Sequence, residues 1–274
     1  MNEGERADIA FTCPHCQQRL SIVPGGLCCV NGHRFDRARE GYVNLLPSGR
    51  HKSRAAGDDL AMVHARRQFF DAGHYHPLMQ AVAEMASIDS PRAILDAGCG
   101  EGSYLAACAE VTHASCWGVD IAKPAVRLAA KRFQSHHYAV ASTFHLPFED
   151  DQFDAALTVF APRHFEELFR VVRVGGTVVT ASPGPDHLAS LRKLLYEQPT
   201  AHGEKHHVTP DGERPPERAE RVRFELSLEK ADALNLLQMT PYWWHAQPGH
   251  QASLAQRPLS TVVDVWVTCH RKRP

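Results

Sequence analysis

Two clusters in this chain have residue types and spacing suited to chemistry. The first is Cys13-Pro14-His15-Cys16, followed by Cys29-Val30-Asn31-Gly32-His33. Two thiolates separated by two residues can grip one metal from a tight knuckle, and a Cys/His pair about a dozen residues later completes a tetrahedral zinc site. The second is Ala93-Ile94-Leu95-Asp96-Ala97-Gly98-Cys99-Gly100-Glu101-Gly102-Ser103. Here an apolar run ends in an acid, and three alternating glycines lead into a helix-like segment. A turn without Cβ atoms lets a ligand lie almost against the backbone, facing the open amides of the next helix.

The metal cluster offers four protein ligands, Cys13, Cys16, Cys29 and His33, which leave no open position and make a zinc there structural. Cys28 and His15 are alternative ligands; Cys29 is favoured because three residues separate it from His33. A redox role for Cys-x-x-Cys would need a thioredoxin-like βαβ context, which this stretch lacks. Cys99, Cys108, Cys116 and Cys269 are scattered through apolar segments and are expected as buried free thiols.

The glycine spacing discriminates between nucleotide ligands. A dinucleotide fingerprint reads Gly-x-Gly-x-x-Gly, whereas the third glycine here comes one residue early. Asp-x-Gly-x-Gly-x-Gly resembles the first motif of Rossmann-like S-adenosylmethionine (SAM) methyltransferases. Trp117-Gly118-Val119-Asp120 then places a second acid roughly 20 residues downstream, where a ribose-binding carboxylate belongs.

Around these clusters, 274 residues that are 43% apolar suffice for one large domain or a core with an appended module. No apolar run of about 20 residues exists, so no membrane span is expected. Met1-Asn2-Glu3-Gly4-Glu5-Arg6 lacks an apolar signal region, so a cytoplasmic location is expected. A net charge of −1 argues weakly against nucleic-acid binding, but the charge is uneven: Arg34 to Arg67 holds eight Arg and Lys against four acids, and the chain ends Arg271-Lys272-Arg273-Pro274. Local basic patches can hold phosphate on a neutral protein.

The positioning elements follow in order. Ser48 to Asp59 reads as a basic loop carrying Arg50, Lys52 and Arg54. Leu60 to Phe70 has helical spacing, and Asp71-Ala72-Gly73-His74-Tyr75-His76-Pro77-Leu78 begins another helix reaching about Ala86; both helices are expected to cap the cofactor cleft. Expected strands are 93–97, Ser115 to Val119, Tyr138 to Ala141, Ala155 to Phe160, Thr177 to Ala181, Phe224 to Leu228 and Val262 to Cys269. The expected domains are a zinc module over 1–47, a basic linker with cap helices over 48–90, and a methyltransferase domain over 91–274.

The Cys-x-x-Cys knuckle, Glu40-Gly41-Tyr42-Val43-Asn44-Leu45-Leu46, Asp71-Ala72-Gly73-His74-Tyr75 and Asp96-Ala97-Gly98-Cys99-Gly100-Glu101-Gly102 occur in one order. Together they resemble the RlmA family, SAM-dependent enzymes that methylate guanine N1 in a hairpin loop of 23S ribosomal RNA and include tylosin-resistance enzymes. The resemblance covers nearly the whole chain and is weak from Gln198 to Arg223. It implies an α/β fold, a class I methyltransferase sheet of six parallel strands plus one antiparallel inside the sheet, with a small N-terminal zinc-binding module that recognises RNA. It also implies SAM and structural zinc as cofactors, a 23S rRNA hairpin as partner, no membrane, and a homodimer.

For the cofactor site the resemblance implies Tyr75, Asp96, Gly98, Gly100, Glu101, Gly102, Asp120, Ser142 near the adenine, and His187. Val159-Phe160-Ala161-Pro162-Arg163 lies where open α/β sheets place chemistry, and lacks the Asn/Asp-Pro-Pro-Tyr box of exocyclic-amine methyltransferases. It leans toward the resistance-type enzymes, whereas Gln238-Met239-Thr240-Pro241 leans toward the other branch. Tyr242-Trp243-Trp244-His245 offers aromatic rings that could stack on an extruded base. For the proton on guanine N1 the candidates are Glu101, His164 and Glu166. Two rivals stand beside this reading: a SAM-dependent enzyme acting on a small molecule, and a non-catalytic zinc-bearing RNA-binding protein.

Overall fold

The computed structural model describes residues 9–47, 58–196 and 215–274. The N-terminal Met1–Arg6 stretch, most of the expected basic loop (48–57) and 197–214 lie outside them.

The chain begins with an antiparallel ribbon of β1 (Leu20–Val23), β2 (Gly26–Cys29) and β3 (Arg34–Asp36). The Glu40–Leu46 motif, for which no strand was expected, contains β4 (Val43–Asn44), which pairs in parallel far along the chain, Val43 with Ala139. Next comes α1 (Leu60–Asp71), whose N-terminus is capped by the Asp59 carboxylate accepting the Met62 amide at 2.9 Å. Asp71 closes α1 rather than opening the next helix; α2 (His76–Ala86) starts five residues on, with Pro77 in its first turn.

Strands and helices then alternate except between β7 and β8: β5 (Ala93–Ala97), α3 (Ser103–Thr112), β6 (Ser115–Asp120), α4 (Lys123–Arg132), β7 (His137–Val140), β8 (Phe153–Val159), α5 (Phe165–Val171) and β9 (Val172–Pro183). The C-terminal part adds α6 (Ala189–Leu195), β10 (Arg218–Leu228), α7 (Lys230–Gln238), a 3-10 turn (Pro241–His245), α8 (Pro248–Gln256) and β11 (Leu259–Arg271). The sheet order is β10-β11-β9-β8-β5-β6-β7-β4. β11 lies between β9 and β10, antiparallel to both, as expected. The expected seven strands are all present, and β4 is an eighth at the edge.

Every residue of β5 and β8 is buried, as parallel strands covered on both faces require. One apolar layer joins α2, α3 and α7 to the sheet. The opposite layer includes Phe11, Leu20 and Cys29 of the N-terminal part with Trp117 and Phe153 of the sheet and Phe148 of the loop before β8. Phe11 meets Trp117 edge-on at 5.0 Å, and the Thr12 amide donates to the Pro147 carbonyl at 2.8 Å. The ribbon thus shares a core with the sheet.

Of the two helices expected to cap the cleft, α1 reaches it, while α2 packs behind its leading Tyr75 against α3 and the sheet. β10 begins at Arg218, earlier than its apolar pattern suggested, because pairing with β11 holds an exposed, charged segment in the strand. Cys99, Cys108, Cys116 and Cys269 are buried free thiols. Among the described residues no helix is long and apolar enough to cross a membrane.

Candidate active site and metal centre

The strand order reverses at β5, the place where open sheets leave a crevice at the carboxyl ends of their strands. Immediately beyond β5 the amides of Gly98 and Cys99 both donate to the Val119 carbonyl, at 2.7 and 3.1 Å, pinning the bend to β6. Gly98 has φ +95°, and a Cβ there would run into the Ala161 side chain. Only glycine satisfies both demands.

Asp120 ends β6 and locks the bend. Its Oδ2 accepts the Gly100 amide at 2.9 Å and its Oδ1 the Ala122 amide at 2.8 Å. Burial raises its carboxyl above the usual range, against the pull of those two amides.

Above this floor lies a crevice of about 720 Å³, within the size range of small-molecule sites. Tyr75, Gly98, Gly100, Glu101, Asp120, Ser142 and His187 all line it. Tyr75 is buried against Phe69 and Phe70. His187 is buried too; its Nδ1 accepts the Asp264 amide at 3.3 Å and its ring stacks with Phe160 at 5.6 Å. Two of the nine expected cofactor residues stand behind the wall. Gly102 heads α3, where a Cβ would meet Tyr138 and Ala129. Asp96 is buried beneath the floor; burial, then the charges of Asp120 and Glu101, push its carboxyl up to about 8.

The three proton-acceptor candidates are not brought together. Glu101 lies in the wall, its Oε1 accepting the Ser103 amide at 3.2 Å and its Oε2 3.7 Å from Arg132. Burial raises its carboxyl. His164 sits at the start of α5 with its ring 5.4 Å from Phe144, and Glu166 follows, exposed; neither lines the crevice.

Sequence reasoning missed two charged crevice residues and the backbone conformation of a third. Arg66 and Asp58, an ion pair, lie on the α1 side. Phe160 lies at the mouth with φ +52°, 42% exposed. Helical periodicity located α1 but not the face it turns to the cleft, and nothing local marks Phe160 as left-handed. Of the expected aromatic run, Tyr242 lines the crevice and Trp244 is 62% exposed. A larger groove of about 1040 Å³ runs between the ribbon and the amino ends of β5, β6 and β7, the wrong end of an open sheet for its chemistry.

In the ribbon, the donor atoms of Cys13, Cys16, Cys29 and His33 all lie within 4.8 Å of one another. Cys29 Sγ is 3.3 Å from His33 Nδ1, and Cys16 Sγ 3.6 Å from Cys29 Sγ. A tetrahedron with zinc–sulfur bonds of about 2.3 Å has edges near 3.8 Å, so the donors fit zinc. The Gln18 amide leads the effects that lower the Cys16 thiol to about 6, toward the thiolate a metal needs. Cys28 instead hydrogen-bonds the Cys29 carbonyl, and His15 stacks on Phe35.

Comparison with known proteins agrees with both halves. Residues 11–54 match the family described as RlmA, N-terminal (a zinc ribbon), and 95–180 match a methyltransferase domain. The chain is 37% identical over 277 aligned positions to the 23S rRNA (guanine(748)-N(1))-methyltransferase of Streptomyces fradiae, covering 96% of each protein. It is 32% identical to YxjB of Bacillus subtilis (strain 168), provisionally named for guanine-N(1) methylation of 23S rRNA, over 94% of each. Among solved structures, a provisionally assigned methyltransferase from Bacillus halodurans superposes with a TM-score of 0.50 at 14% identity, covering 72% of this chain and 99% of that one, a likeness of fold. Zinc ribbon, glycine-floored crevice and full-length identity converge: the chain belongs to the RlmA-type family of 23S rRNA (guanine-N1)-methyltransferases, SAM-dependent enzymes.

Proposed function

We propose that the protein methylates N1 of a guanine in a hairpin loop of 23S ribosomal RNA. The observation that carries this is identity over 96% of both proteins with a relative of that name, spanning ribbon and crevice together. An enzyme acting on a small molecule would have no use for the ribbon, so that alternative is the weaker one.

When bound, SAM supplies an electrophilic methyl group for in-line displacement. The chain's part is to align the reactants, which can account for much of the rate. In this reading Asp120 holds the ribose, Ser142 faces the adenine, and Tyr75, Gly98, Gly100, Glu101 and His187 enclose the rest, with Asp96 and Gly102 supporting the bend from behind. Guanine N1 lies on the Watson–Crick edge, so the base must be unpaired or flipped to enter. Phe160 and Tyr242 at the crevice offer it faces. With His164 and Glu166 outside the wall and Glu101 tied to Ser103, the N1 proton leaves to solvent or to Glu101, and alignment dominates.

The zinc-binding module expected over 1–47 is read as the RNA-recognition part, the protein as working in the cytoplasm as a homodimer, and its modification as altering macrolide (tylosin) susceptibility. The test is direct. Ribosomal RNA from cells lacking the gene is incubated with the protein and SAM, and reverse transcription reads the stop that an N1-methylguanine imposes. A single new stop in a hairpin loop of 23S rRNA is expected; methyl incorporation elsewhere, or none, overturns the proposal.

A further inference from the structure

The crevice wall holds an ion pair that the alignment of ribose and adenine does not use. Arg66 lies one helical turn before Phe70 on α1, and both line the crevice. One guanidinium nitrogen of Arg66 pairs with the Asp58 carboxylate; another donates to the Met239 carbonyl at 2.9 Å. Arg66 Nη1 is 3.5 Å from where a Gly100 side chain would begin, so the guanidinium stands over the glycine bend. The side chains of Arg66 and Asp58 are 22% and 27% exposed, open toward the cavity.

The amino-acid arm of SAM is a zwitterion carrying a carboxylate and an ammonium. With its sugar on Asp120, which hydrogen-bonds Gly100, an arm running along the bend would pass Arg66. Arg163, the other arginine of the wall, follows Phe160 beyond the carboxyl end of β8. A planar guanidinium matches a carboxylate bidentately. Asp58, Glu101 and Asp120 outnumber Arg66 and Arg163 in the wall, which suits a ligand of net positive charge.

We propose that Arg66 and Asp58 form the receptor for this zwitterion, Arg66 taking the carboxylate and Asp58 the ammonium, each exchanging its present partner for the ligand. The exchange is charge-neutral, so no uncompensated charge is left in the wall. The proposal rests on the crevice being the cofactor site.

Calorimetric titration with S-adenosylhomocysteine and with methylthioadenosine tests it. The second ligand keeps the adenine, ribose and thioether but has no amino-acid arm. Arg66→Met should weaken adenosylhomocysteine by about 30-fold or more, about 2 kcal/mol at 1.4 kcal/mol per tenfold, and leave methylthioadenosine within about twofold. Asp58→Asn should show the same selectivity with a smaller loss. Equal losses for both ligands would make Arg66 a structural latch on Met239, and no loss would make it a bystander; either result overturns the proposal. Failure of both ligands on the wild type would instead overturn the reading of the crevice. If thermal melts show Arg66→Met unfolded, Arg66→Lys, which keeps the charge without the fork, should lose about fivefold or more for adenosylhomocysteine alone. An unselective or absent loss there overturns the proposal equally.

Discussion

In the ribbon, four side chains converge on one point from two short knuckles; in the crevice, the backbone forms the floor and side chains stand aside. The first arrangement is costly without its ligand, because the metal is what balances three sulfurs and an imidazole gathered at one point. The second is built in advance. Gly98 and Cys99 are held by Val119, and Gly100 by Asp120, with no ligand needed to keep the bend open. Removing the ligand from each site should therefore have different structural consequences within one molecule.

Stripping the metal is the largest perturbation, since structural zinc contributes roughly 10–16 kcal/mol in isolated zinc-finger peptides. A strong chelator should expose Cys13, Cys16 and Cys29 to a thiol reagent while Cys99, Cys108, Cys116 and Cys269 stay protected. Methylation of rRNA should be lost, and adenosylhomocysteine affinity should change by less than about threefold. If the buried thiols react at the same rate, the two sites are one cooperative unit and the contrast fails.

The converse experiment damages the crevice. Gly98→Val would force a branched residue into a left-handed conformation, at about 1–2 kcal/mol, and drive its Cβ onto Ala161, at about 1–3 kcal/mol. Adenosylhomocysteine binding should vanish in calorimetry while zinc remains at one per chain by metal analysis. Loss of zinc as well would mean that strain at the bend reaches the ribbon.

A smaller effect sharpens the contrast through pH. Asp96 is buried under the bend, where burial followed by Asp120 and Glu101 raises its carboxyl to about 8. Below an unfolded value of about 3.9 both states hold the proton and pH has no leverage. Between there and about 8 the folded chain keeps a proton that the unfolded chain has lost, so stability falls as pH rises. Asp96→Asn removes that slope. From pH 4 to 8.5, urea melts should shift steadily in favour of Asp96→Asn. Parallel profiles would show that Asp96 ionises freely beneath the floor.

What could be read in the sequence follows the same division. The metal ligands and the glycine bend are local in the chain, so spacing alone reveals them: Cys13 to His33 by coordination geometry, Gly98 to Asp120 by the demands of a strand–turn–helix. Asp96 and Gly102 belong to the same motif, yet Asp96 is buried within β5 and Gly102 lies against Tyr138 and Ala129, a placement that no local pattern encodes. β4 was invisible because it is two residues long and finds Ala139 across the fold. Arg66, and with it the partner Asp58 just ahead of the helix, required knowing how α1 is rotated, and its apolar spacing fixes only the buried face of Met62, Val63, Ala65 and Phe69. His164 and Glu166 follow the strand-end motif in sequence, but α5 carries them out of the crevice wall.

The seam between the two regions gives the smallest expected change. Phe11 is 7% exposed, edge-on to Trp117 and 5.2 Å from Phe148, so one ribbon residue is packed into the sheet's own core. Phe11→Leu keeps an apolar side chain of similar volume but loses the ring contacts, at about 1 kcal/mol. If the ribbon is docked as a rigid arm, this loss should appear in the melting of the whole chain. It should also raise KM for the RNA a few-fold, while kcat and adenosylhomocysteine affinity hold. A tethered ribbon would leave the melt unchanged, because Phe11 would then add nothing to the sheet. A fall in kcat at constant KM would mean that the seam instead tunes the crevice, transmitted through Trp117 on β6, the strand whose Val119 and Asp120 hold the bend.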